Sequence, residues 1–147
     1  MPDAQARLRE VATALIVATL FAILHTAAFP FAFVGGRVLG MSEAAYLFLA
    51  PLAWWLMRKR SIRATLLLSL GASWLSWTVL LIWLRHVTLF GTIGLALVMS
   101  LFTALWALGA RLVLPNLQKR PALQRIGLLA ALAGMWVICE WLRGVAF

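Results

Sequence analysis

Residues 92–114 read TIGLALVMSLFTALWALGARLVL, and their only charge is Arg111, three residues from the end. A water-soluble helix needs a polar face along its length, and this run has none. At ~1.5 Å per residue it is long enough to cover the ~30 Å hydrocarbon core of a bilayer. Four more apolar runs lie outward from it, at 11–29, 38–57, 64–84 and 126–142. The run 38–57 reaches spanning length only with its first residues counted, so a short or tilted segment is expected there. Inside a bilayer every backbone N–H and C=O needs an internal partner, which makes these runs helical. No segment shows the sustained two-residue alternation of a membrane barrel strand. The expected fold is an all-α membrane protein, a single polytopic domain over 1–147 with a bundle of about five transmembrane helices.

Composition agrees. The chain is 65% hydrophobic and only 12% charged, with a mean hydropathy of +1.00. Soluble domains average roughly half apolar and about a quarter charged. Apart from Arg111 the basic residues fall between the runs, and the large clusters alternate from loop to loop. Arg7, Arg9, Arg58, Lys59, Arg60, Arg63, Arg111, Lys119, Arg120 and Arg125 fall on one side, and Arg37, Arg85 and Arg143 on the other. Positive loops stay cytoplasmic, so the N-terminus is expected inside and the C-terminus outside. The net charge of +9 is then a topology signal and an attraction to anionic lipid. No basic face with aromatic platforms stands outside the runs, which argues against nucleic acid as a partner. The first run follows Arg7 and Arg9 as a signal peptide would. It is longer than a usual signal core, and Asp3 and Glu10 precede it, so it is expected to stay uncleaved.

The connections are short. Pro30 ends the first run, Pro115 and Pro121 mark helix ends, and residues 58–63 form a tight basic turn. Ala14, Ala18 and Ala22, then Ser69, Ser73 and Ser76, then Ala130 and Gly134 recur at helical spacing. Small residues let helices approach closely, so these stripes are read as packing surfaces.

Function should sit on polar groups in or beside the runs. An ionisable side chain at mid-bilayer costs on the order of 2.5–3.5 kcal/mol on insertion scales. His25, about a turn from the end of the first run, is read as an interhelical hydrogen-bonding residue. No second histidine or carboxylate stands at metal spacing, so no metal is expected. The single cysteine, Cys139, excludes an internal disulfide and a cysteine-based zinc cage. Trp74, Trp77 and Trp83 precede Arg85 and His86. This is an aromatic belt with an interfacial anchor, or a headgroup site in which Arg85 binds phosphate and His86 moves a proton. Trp136, Glu140 and Arg143 share one face of the last helix, and Glu140 and Arg143 are spaced to pair. That pair is a structural ion pair at the boundary, or a carboxylate aimed at a cavity or a docked domain.

The stretch Trp83-Leu84-Arg85-His86-Val87-Thr88, with Gly91 after it, and the run Glu140-Trp141-Leu142-Arg143-Gly144 together resemble the N-terminal membrane region of bacterial apolipoprotein N-acyltransferases. Phe29-Pro30-Phe31 is similar to that family's early turn. Pro51-Leu52-Ala53-Trp54-Trp55, ahead of Arg58, is similar to its next helix. The resemblance implies an inner-membrane, multi-pass protein with its N-terminus inside. It implies transfer of an acyl chain from a phospholipid to the amine of a diacylglyceryl-cysteine on a lipoprotein. The family does this through a thioester on a Glu–Lys–Cys triad in a nitrilase-like domain on the outer face, without a cofactor. None of those catalytic residues has a counterpart here. Cys139 lies within a membrane run with no lysine near it. Phospholipid, the lipoprotein substrate and a nitrilase-like domain are the expected partners, and this chain is expected to be non-catalytic alone, as a fragment, truncated product or split subunit. Trp74, Trp77, Arg85, His86, Trp136, Glu140 and Arg143 are the candidates for lipid binding or domain docking. The alternative is a non-enzymatic small membrane protein, a scaffold or subunit. On the first reading these side chains gather round a lipid-sized groove; on the second they scatter.

Overall fold

A computed structural model describes residues 2–29, 31–32, 38–39 and 41–146. The expected turn at Pro30 and the basic residue Arg37 lie outside the described residues. The architecture is helical: α1 (Pro2–Ala28), α2 (Ala44–Leu47), α3 (Ala50–Leu56), α4 (Ile62–Leu80), α5 (Leu89–Val113) and α6 (Ala122–Ala146). Between α1 and α2, β1 (Phe31–Ala32) pairs antiparallel with β2 (Val38–Leu39), Phe31 opposite Leu39. Two 3-10 segments, Ile82–His86 and Leu114–Lys119, bracket α5.

Three helices are long and apolar enough to cross a membrane: Ala4–Ala28, Leu89–Lys119 and Ala122–Ala146. Helix α4 has 19 residues, about 28 Å of rise, but Thr65, Ser69, Ser73 and Ser76 dilute its hydropathy. The segment expected as one helix over 38–57 is not continuous. Only Ala44–Leu56 is helical, and it breaks at Phe48 and Leu49. Pro51 explains the break. It has no N–H to give the Leu47 carbonyl four residues back, and its ring crowds that carbonyl. Helix α2 therefore ends at Leu47.

Other boundaries move for identifiable reasons. Helix α1 starts nine residues before its apolar run, because residues 4–10 (AQARLRE), all good helix formers, extend it as an exposed helical stem. Ser61 caps α4 by accepting the Ala64 N–H at 3.1 Å, and Thr88 caps α5 by accepting the Gly91 N–H at 3.3 Å. A Cβ on Gly91 would meet Thr88 Cγ2 at 2.4 Å. The glycine three residues after the threonine thus makes room for the cap.

Helices α4 and α5 pack most extensively, with α1 on α4, α6 on α5 and α2–α3 on α1. The α4–α5 seam is polar but self-satisfied. Ser73 Oγ and Thr103 Oγ1 bond across it at 2.9 Å. Ser69 donates to Thr65 O at 2.7 Å and Ser100 to Leu97 O at 2.6 Å. Small hydroxyl residues permit a close approach and return their donors to their own helix. The alanine stripe of α1 packs inward as read, with Ala22 buried and Ala14 and Ala18 against the core. The α6 pair does not. Ala130 and Gly134 face outward, and nothing lies within 4 Å of a Cβ at Gly134. Helix α6 meets α5 through Leu132, Met135 and Trp136 instead. The small residue at that contact is Gly109, where a Cβ would meet Met135 Sδ at 2.7 Å.

Candidate functional site

Aromatic residues recur every four positions, at Phe21 and His25 on α1 and Phe29 just past its end, so they line up along one face. That face meets Phe48, at the break between α2 and α3, and Trp77 on α4. The His25 ring lies 5.4 Å from Phe21, 5.0 Å from Phe48, 5.1 Å from Trp77 and 5.3 Å from Phe29. Its Nδ1 is 2.7 Å from Ser76 Oγ, and Thr26 Oγ1 is 2.9 Å from the same oxygen. A fully buried imidazole is held between two helices, with a hydroxyl pair on one side and aromatic faces on the others. This is the interhelical role read for His25, but it also makes His25 the centre of a cage.

Helix α6 closes the cage. The Trp136 ring lies 5.3 Å from Phe48 and 6.1 Å from Trp106. Trp106 donates its indole N–H to Leu132 O at 3.0 Å, which ties α5 to α6. One helical turn beyond Trp136, Glu140 pairs with Arg143 on the same helix. The Arg143 guanidinium carbon sits 4.7 Å over the Trp77 ring and 6.0 Å from Phe29. A planar guanidinium stacks on aromatic faces and keeps in-plane donors for an anion. Glu140 occupies part of that fork and fixes its direction.

Four of the seven candidate residues therefore converge, Trp77, Trp136, Glu140 and Arg143. Three do not. Trp74 is on the outer side of α4 and donates to Ile93 O at 3.2 Å. Arg85 and His86 are exposed on the 3-10 segment before α5 and pair with no group among the described residues. Phe21, Phe29, Phe48, Thr26 and Ser76 complete the cage, and none was a site candidate. The 21–25–29 spacing was the available signal, and only the tertiary fold brings Phe48 to it.

Beside the cage, Thr26 and Ser76 also border a cavity of about 460 Å³ between α1 and α4, lined otherwise by Thr19 and by apolar side chains such as Ala22, Ile23 and Val79. Among the described residues no group of three His, Cys, Asp or Glu side chains could hold a metal ion. Cys139 is buried on α6.

Comparison with known proteins gives one family and no individual relative. No curated protein and no solved structure matches the chain. Residues 21–147 match the model of the apolipoprotein N-acyltransferase N-terminal domain, from the start of the aromatic face on α1 through the Glu140–Arg143 pair. With most of its length inside that match, the chain belongs to the apolipoprotein N-acyltransferase N-terminal domain family.

Proposed function

We propose that this chain is the membrane-embedded, lipid-binding part of an apolipoprotein N-acyltransferase of the bacterial inner membrane. The enzyme would transfer an acyl chain from a phospholipid to the N-terminal diacylglyceryl-cysteine of a lipoprotein. The family match over 21–147 carries this reading. The chain would cross the membrane five times, through α1, the short α2–α3 segment, α4, α5 and α6, with its N-terminus in the cytoplasm. Two contacts support that path. Arg60 pairs with Glu10, and Arg111 donates to Arg60 O at 2.7 Å. The start of α1, the α3–α4 turn and the end of α5 thus share one basic end.

At the opposite end, Arg143 is the group suited to a phosphate or to a carboxylate of a nitrilase-like domain. Glu140 is a positioning residue: it aims the guanidinium, and Trp77 supports its plane. In the enzyme that joins this domain to its catalytic domain, Glu140→Gln should raise the KM for phospholipid about tenfold. That corresponds to one charge-assisted hydrogen bond. The protein level in the membrane and kcat should change little. Unchanged acylation kinetics would leave the scaffold reading, a non-enzymatic membrane subunit. That reading draws on the distance of Trp74, Arg85 and His86 from the cluster.

A further inference from the structure

The basic end holds a second feature that topology alone does not require. Arg9, Glu10, Thr13, Arg58 and Arg60 line a cavity of about 360 Å³. Glu10 is committed to Arg60, which also stacks on Trp55 with its guanidinium carbon 4.5 Å from the ring. Arg9 and Arg58 make no ion pair among the described residues. The lining is thus cationic on balance, with two guanidinium groups free to take an anion.

The same Thr13 that closes this cavity opens a second one. An apolar groove of about 580 Å³ runs between α1 and α3, from Thr13 past Ile16 and Leu20 to Leu24, with Ala50, Pro51 and Trp54 opposite. Ala50 and Pro51 place little bulk against α1, so the break that Pro51 imposes on the helix also keeps the groove open. From Thr13 to Leu24 the rise along α1 is about 16 Å, and one leaflet contributes about 15 Å of hydrocarbon. Trp54 stands at the boundary, with Arg58 over its ring at 5.8 Å. A tryptophan at that depth is an interfacial anchor.

We infer that this composite site binds one anionic phospholipid of the leaflet at the basic end, its phosphate between Arg9 and Arg58 and one acyl chain along α1. Charge selects the headgroup, and groove length selects a membrane lipid over a soluble anion. Basic pockets between helices on the cytoplasmic side hold anionic lipid headgroups by this chemistry. The site lies at the far end of the bundle from Arg143 and is independent of the acyl-transfer reading; only the name of the leaflet rests on the proposed orientation.

Native mass spectrometry of the full chain released from detergent micelles tests it, with phosphatidylglycerol, phosphatidylcholine and inorganic phosphate as probes. One phosphatidylglycerol should be retained per chain, and phosphatidylcholine should not. Arg9→Gln and Arg58→Gln should each weaken retention about fivefold, and the double variant roughly 25-fold. Both side chains are exposed, so these variants keep the fold, and circular dichroism checks that. Ala50→Phe should abolish retention by filling the groove. Equal retention of phosphatidylcholine overturns the proposal, as does displacement of the lipid by millimolar phosphate, which would mark a soluble-anion site. Retention that survives both arginine substitutions overturns it too. So does an Ala50→Phe variant that loses dimers rather than lipid, which would assign the groove to a second copy.

Discussion

The two ends of the bundle are built from the same three parts. At the basic end Arg60 lies 4.5 Å over Trp55 and pairs with Glu10; at the other end Arg143 lies 4.7 Å over Trp77 and pairs with Glu140. In both, the indole Nε1 is buried without a hydrogen-bond partner among the described residues. The wiring differs. Glu10 and Arg60 are 50 residues apart and join α1 to the α3–α4 turn, and the Arg60 carbonyl accepts from Arg111 on α5. Glu140 and Arg143 are three apart on α6. The first unit is a clamp across three parts of the chain. The second is a pre-aimed local pair with only aromatic faces tying its guanidinium to other elements. A clamp resists change; a local pair can exchange partners while the helices stay put. Stability should therefore reside at the basic end and chemistry at the other.

The clamp gives the largest expected effect. Arg60→Ala should destabilise the protein by about 2 kcal/mol. Glu10 is 61% exposed, so the ion pair supplies at most about 1 kcal/mol of this. The rest comes from the stacking on Trp55 and the lost cover over its ring. Thermal unfolding in detergent measures it. If Arg143→Ala proves as costly, the two ends do not differ in kind.

The next effect belongs to the cage, which has no counterpart at the basic end. His25→Leu should cost about 1.5 kcal/mol. It removes one partner of the buried Ser76 hydroxyl and leaves Thr26 as the other. The pair His25→Leu with Ser76→Ala should cost clearly less than the sum of the two single changes, since both break one bond. Additive losses would show that the ring's packing, rather than its hydrogen bond, holds α1 to α4.

This division was partly legible in the sequence. Long apolar runs marked the helices α1, α4, α5 and α6, and three of these, α1, α5 and α6, are long and apolar enough to cross a membrane. The same rule misjudged 38–57, where apolar composition was read over the local effect of Pro51. Glu140 and Arg143 were legible as a pair because helical spacing alone brings them together. Trp74, Arg85 and His86 were grouped with them by nearness in sequence to Trp77, yet α4 turns Trp74 away and the 3-10 segment carries Arg85 and His86 outward. The Phe48 contacts and the Arg60 clamp depend on residues 23 or more apart in sequence meeting at particular heights, which no local pattern encodes.

The smallest expected effect is the sharpest probe of the comparison. Arg143→Lys keeps the positive charge and can keep the pairing with Glu140, but it loses the planar group that stacks on Trp77 and Phe29. The Arg143 side chain is 14% exposed, so the lost cation–π contact is partly desolvated and the stability cost should be about 1 kcal/mol. Arg60→Lys should cost more, because Arg60 pairs with Glu10 across 50 residues, so a lysine there loosens α1 from the α3–α4 turn as well as losing the flat face on Trp55. Unfolding curves of the two lysine variants, measured side by side in the same detergent, give the difference directly. Equal costs would mean that the guanidinium plane matters the same at both ends. A larger cost at Arg143 would reverse the assignment and make the far end the clamp. The expected order, Arg60 well above Arg143, leaves Arg143 as a charge that the fold aims without depending on it, as an arginine must be if it is to turn toward a phosphate.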